Sequence, residues 1–107
     1  MTMSDAATPD HALELVWLVE CTYAPDAAET RVPVRAEHLA RVAALRRSGV
    51  IVEAGAVTDV SRSVLVIRAE SEHEALEVCR QDAYTREGVW VEFRARPFGR
   101  VRLAEEG

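Results

Sequence analysis

The sequence predicts an α+β domain of β-α-β-β-α-β order, a four-stranded antiparallel sheet carrying two helices on one face. Three observations lead to it. Two segments, residues 13–22 and 63–69, are short, rich in β-branched residues and apolar on both faces, as the two central strands of such a sheet must be. Between them, residues 33–48 carry an apolar seam of Leu39, Val42 and Leu45 at helical spacing. Beyond them, Ser71-x-x-Glu74 has the form of a capping box that opens a second helix.

The polar start, MTMSDAATPDH, has acids where a signal peptide has a basic region, and it lacks an apolar stretch, so residues 1–12 are expected to be a disordered leader. In strand one, residues 13–22, the odd positions Leu13, Leu15, Trp17, Val19 and Cys21 are all apolar, and Val16 and Leu18 make the middle of the other face apolar too. A polar loop over 23–32 ends at Pro33, whose fixed φ suits the first turn of a helix. That helix runs to Ser48 and stops at Gly49, with Arg46 and Arg47 at the negative end of its dipole.

Residues 50–57 read as strand two, in which Gly55 fits either a pocket wall that must stay small or a β-bulge. A short connection over 58–62 leads to strand three, residues 63–69. Helix two then turns Ala75, Leu76 and Cys79 inward and His73 outward, and it ends in the exit turn Gln81-Asp82-Ala83-Tyr84. Residues 88–97 alternate as strand four, with Val89, Val91, Phe93 and Ala95 on one face and Trp90, Glu92, Arg94 and Arg96 on the other. Residues 98–103 extend that strand or form a short extra one, and 104–107 are expected to fray. One domain over 13–103 accounts for all of these elements.

Two helices cover only one side of a four-stranded sheet. Apolar groups on the other side, Val16 and Leu18 among them, predict a two-fold homodimer packed sheet to sheet. A formal charge of −5 and a pI near 5.2 argue against a nucleic-acid partner, which requires a basic face. The non-histidine basic residues are all arginine, so lysine Schiff-base chemistry is excluded. Cys21 and Cys79 form no CxxC pair and read as free, buried thiols of a reducing cytoplasm. His11, His38 and His73 are too scattered for a zinc site, and no apolar run is long enough to span a bilayer. The expectation is therefore a cytoplasmic protein with no metal, no cofactor and no membrane partner.

His38 is the chemical clue, because it borders the apolar seam of the first helix. A lone histidine there is more often a hydrogen-bonded packing residue than a catalyst. It becomes a general base only with a partner and a cavity. Asp82 supplies the partner if the helices run antiparallel or the exit turn folds over helix one. The carboxylate would then fix the imidazole tautomer. No G-x-S-x-G elbow or activated Ser or Cys points to covalent catalysis. Arg35 at the helix start suits an anionic substrate or plain solvation, and Tyr84 suits a donor to a substrate oxygen or a cover for the helix end. Trp17 and Trp90 are expected in core or dimer packing.

The residues Arg35-x-x-His38-Leu39, Gly49, Ala54-Gly55-Ala56, Ser71-x-x-Glu74-Ala75, Asp82-Ala83-Tyr84 and Gly88-Val89-Trp90, in that order and spacing over residues 13–101, resemble the YciI (YCII-related) family. The resemblance implies a ferredoxin-like dimer of the dimeric α+β barrel superfamily, with His38 and Asp82 as the residues of its active site. Muconolactone isomerases belong to the wider superfamily, and a dehydrochlorinase of chlorinated hydroxyquinones resembles the family closely. One departure is that the family's usual Asp-Pro-Tyr is Asp82-Ala83-Tyr84 here, which removes a fixed φ and implies a looser turn under the carboxylate.

Two functions of different class follow. One is a small cofactor-free isomerase or lyase, dehydrochlorinase-like, in which a His38–Asp82 dyad moves a proton, with Arg35, Gly55 and Tyr84 binding the substrate. The other is a non-catalytic metabolite-binding or accessory dimer. A purely structural pairing of His38 with Asp82 is distinguished from both by access: a dyad sealed from solvent on all sides does no chemistry.

Overall fold

The computed structural model describes residues 11–103, so most of the expected leader and the frayed tail lie outside the described residues. The elements are β1 (His11–Tyr23), a single helical turn α1 (Ala27–Thr30), a 3-10 turn (Val32–Val34), α2 (Arg35–Ser48), β2 (Ile51–Ala56), β3 (Arg62–Ile67), α3 (Glu72–Arg80), the short α4 (Ala83–Arg86) and β4 (Trp90–Leu103). The sheet order is β2-β3-β1-β4 with every neighbour antiparallel, which puts the two strands lacking a polar face in the centre. Residues 98–103 continue β4, because β1 pairs with that strand from His11↔Leu103 to Tyr23↔Trp90.

The helix ends follow the local chemistry. Pro33 sits in the 3-10 turn ahead of α2. Gly49 closes α2 with φ 88°, a left-handed conformation that residues with a Cβ rarely adopt. At α3 the Ser71 hydroxyl accepts from the Glu74 N–H at 3.1 Å. The Glu74 carboxylate reaches back one residue further than a standard capping box, accepting from the Glu70 N–H at 3.0 Å. The expected polar loop over 23–32 contains α1, whose Ala27 is buried.

Odd positions of β1 face the helices. Val19 and Cys21 pack with Leu65 and Ile67 of β3 and with Ala75 and Cys79 of α3. Trp17 is half-buried there and donates its indole N–H to the Ala69 carbonyl at 3.2 Å, in keeping with a packing role. Both cysteines are free and buried, and His73 is exposed. A hydrogen bond to Cys79, together with burial, pushes the Cys21 thiol far above its ordinary pKa, so it is an inert packing group.

One expected alternation fails. The register shifts between Thr22↔Glu92 and Tyr23↔Trp90, leaving Val91 as an extra residue in β4. That bulge turns Trp90 to the helix side, where it is buried, and leaves Val91 half exposed; strict alternation assigned the two the opposite way. A second shift, between Ile51 and Glu53, makes Val52 the irregular residue of β2. The bulge considered for Gly55 is therefore three residues earlier.

On the open face of the sheet, Val16 is already buried within the chain, opposite Phe98 and flanked by Arg96 and Arg100. Glu14 accepts from Arg68 and Arg100, and Glu20 from Arg96, so long arginine stems lie across the apolar centre. Phe98 stays partly exposed beside it, and the most exposed apolar groups lie elsewhere. Leu13, Leu15 and Val101 stand at the paired ends of β1 and β4, on the helix side of the sheet but beyond the helix layer.

Candidate active site

Asp82 is brought to His38 by two pieces of local structure. It is the N-cap of α4, in an extended conformation (φ −78°, ψ 151°), and its Oδ2 accepts from the Tyr84 N–H at 2.9 Å. The same Oδ2 lies 2.7 Å from Nδ1 of His38, in the first turn of α2. Its other oxygen accepts from the Arg41 guanidinium at 3.1 Å. Ala83 occupies the first helical position, where proline would supply a ready-made φ. Cap, imidazole and guanidinium hold the carboxylate in place here with alanine at that position.

Burial by itself would raise the Asp82 pKa, since the residue is 1% exposed. The hydrogen bonds from His38, the Tyr84 N–H and Arg41 outweigh that effect and hold the carboxyl below its ordinary range. An ionised carboxylate only accepts hydrogen bonds, so Nδ1 of a neutral His38 must carry the proton, which leaves Nε2 as the acceptor.

Among the described residues, no side-chain nitrogen or oxygen shut off from solvent lacks a partner. Nε2 makes no hydrogen bond, so it must be open to solvent. His38 also lines a cavity of about 210 Å³. The dyad is therefore buried but not sealed.

The cavity lies between α2 and the ends of the strands. One wall is aromatic: the His38 ring stacks on Tyr84 with centroids 3.7 Å apart and planes 8° from parallel. Trp90 stands edge-on to both rings at 5.2 and 5.4 Å. Trp90 donates to the Ser63 hydroxyl at 3.2 Å, and Ser63 donates to the Tyr23 hydroxyl at 2.9 Å. That relay leaves the Tyr23 proton free to donate. Tyr84 is kept protonated, its pKa raised by burial and the neighbouring Tyr23 and only partly lowered by Arg31 and Arg35. Leu39 and Val42 of the expected apolar seam also line the cavity.

The cavity brings together His38, Arg35 and Tyr84, with Asp82 directly behind His38. Gly55 borders it through backbone alone. Gly55 pairs with Val64 on the other face of the sheet, and a Cβ there would meet nothing within 4 Å. The small wall is made instead by Ala54 and Ala56, on either side of it. Sequence reasoning missed Arg31, Arg41, Tyr23, Ser63 and Trp90. Arg41 was available as the i+3 neighbour of His38 on one helix face, and Tyr23 as the next odd position of β1. Trp90 was hidden by the bulge, for which the sequence carries no signal.

Residues 15–99 match the YCII-related domain. A solved structure of 5-chloro-2-hydroxyhydroquinone dehydrochlorinase from Burkholderia phenoliruptrix AC1100, in complex with 2,5-dihydroxybenzoquinone, superposes with a TM-score of 0.67. It is 22% identical, over 78% of this chain and 92% of the other, so the likeness is one of fold. No curated protein matches.

The depressed Asp82 pKa gives a stability test with a definite sign. The group ionises more readily folded than unfolded, so its contribution is fully present above the ordinary carboxylate pKa near 4 and is lost as pH falls through the lower folded value. Asp82→Asn should lower stability to urea at pH 7 by about 2–4 kcal/mol. The gap to the wild type should close on acidification below about pH 4. A gap independent of pH would contradict the charged pairing.

Proposed function

The chain belongs to the YCII-related domain family, and on that premise we propose that it is a cofactor-free enzyme in which His38, oriented by Asp82, moves a proton on a small molecule. The observation that carries this reading is the division of labour in one imidazole. Nδ1 is tied at 2.7 Å to a buried carboxylate, while Nε2 has no partner among the described residues and His38 lines a cavity. That is the arrangement of a general base whose conjugate acid is stabilised from behind.

In the proposed step Nε2 takes a proton from an acidic C–H, and the electron pair left on carbon moves onto a conjugated carbonyl oxygen. Tyr84 and Arg35 receive the developing charge, while Gly55 contributes only backbone to the wall. The imidazolium then returns the proton to a different carbon, giving isomerisation. Alternatively, the electron pair expels a leaving group on the adjacent carbon, giving elimination. Asp82 stays ionised throughout. The dehydrochlorinase of related fold was solved with a ring of this size, which supports a small cyclic, conjugated substrate here. The same cavity serves the second reading, a metabolite-binding domain without turnover.

We also propose a homodimer. The elongated shape, 48 × 25 × 25 Å, leaves Leu13, Leu15 and Val101 at its strand ends and Phe98 on the open sheet face exposed, apolar surface that a second copy would cover. No helix among the described residues is long and apolar enough to cross a membrane.

Deuterium uptake from D2O into a panel of cyclic 1,3-diketones and hydroxyquinones, followed by NMR, tests the proton transfer without knowledge of the full reaction. The wild type should catalyse exchange in at least one compound, and His38→Gln should lower that rate by about 10²–10⁴-fold while remaining folded at the assay temperature. Binding without exchange would favour the metabolite-binding reading, and equal exchange by the variant would remove His38 from the step. Light scattering should give twice the 11.8 kDa chain mass; a monomer at micromolar concentration would contradict the dimer.

A further inference from the structure

Arg31 and Arg35 lie four residues apart across the 3-10 turn, and both line the cavity beside Tyr84. Elsewhere on this side of the fold arginines find carboxylates: Arg41 pairs with Asp82, and Arg86 with Glu37 and Glu87. Arg31 and Arg35 pair with none among the described residues. The cavity lining contains no Asp or Glu. Asp82 stands behind the imidazole, with its charge already shared among His38, Arg41 and a backbone N–H. The space in front of Nε2 is thus lined by two uncompensated guanidiniums and two phenols, Tyr23 and Tyr84, each with a proton to donate. In a concave site with apolar walls such a field favours an anion.

We propose that the substrate of this site is a small anion, one ring or a short chain bearing a carboxylate or an equally acidic enol, whose charged oxygens are held by Arg31 and Arg35. This rests on the proton-transfer reading for what happens after binding, but not for the binding itself. The size follows from the cavity: a pocket of about 150 Å³ accepts benzene, and about 210 Å³ accepts one ring with a substituent. The charge has a chemical consequence. Removing a proton from carbon in a molecule that is already an anion creates a second negative charge, which the apolar walls would oppose. The guanidiniums offset it, and the phenols donate to the enolate oxygen as it forms.

Titration calorimetry of the full-length protein with benzoate and benzamide, and with cyclohexene-1-carboxylate and its amide, tests this without turnover. Each carboxylate should bind about tenfold or more tightly than its amide, and less tightly as NaCl is added. Arg31→Gln and Arg35→Gln should each weaken carboxylate binding by about tenfold and leave amide binding alone. Arg47→Gln, at the exposed far end of α2, should bind like the wild type. Equal affinity for acid and amide, no binding of either, or unchanged binding in both cavity arginine variants would overturn the proposal.

His38→Gln separates this from the reading beneath it. If that variant binds carboxylates normally and loses deuterium exchange, both stand. Arginine-dependent anion binding in a protein that exchanges nothing leaves the anion site and removes the enzyme. Exchange that needs His38 but binding that ignores both arginines does the reverse.

Discussion

A carboxylate with almost no solvent contact must be surrounded by donors or be neutral. Asp82 meets that requirement with three groups from two elements: the Tyr84 N–H of its own helical turn, and His38 and Arg41 from α2. Each has a separate effect. The backbone bond fixes the cap of α4, the imidazole bond fixes the tautomer of His38, and the guanidinium adds the smallest of the three contributions that keep the carboxylate ionised. Because the three donors come from segments more than forty residues apart, the same carboxylate joins α2 to the turn after α3. The salt bridge between Arg86 and Glu37 repeats that connection at the surface, where exposure makes it worth little.

The cavity exists because of what is small or displaced around this join. Ala54 and Ala56 leave room on the β2 side, and the bulge at Val91 swings Trp90 under the His38 and Tyr84 rings to close the floor. The turn through α1 and Val32–Val34 then brings Arg31 to the cavity lining with Arg35. The result is a lining that combines polar, aromatic and aliphatic groups. That distribution suits a conjugated molecule with charge at one edge. The buried thiols of Cys21 and Cys79 lie in the core and do not line the cavity.

The element order and the central strands were legible because the relevant signals are local. Examples are two-sided apolar runs in 13–22 and 63–69, the Ser71 cap, and Gly49 at a position requiring positive φ. His38 was legible as a candidate by its place beside the seam, and Asp82 by its spacing within a family-like pattern. Periodicity could not show Trp90, since one extra residue in a strand reverses every later side chain while leaving composition unchanged. It also misjudged Val16, which reads as an exposed apolar residue until the arginines of the neighbouring strand are laid across it. Gly55 illustrates the converse: its small size invited a pocket role, yet its side of the strand faces away.

The orientation of one imidazole is the point on which the chemistry depends, and it is directly observable. With His38 neutral, ¹⁵N-resolved NMR of its ring should show the proton on Nδ1, bonded to Asp82, and a bare Nε2. Asp82→Asn should erase that preference. A proton found on Nε2 in the wild type, or a tautomer indifferent to the substitution, would mean that the carboxylate does not set His38 as a base toward the cavity.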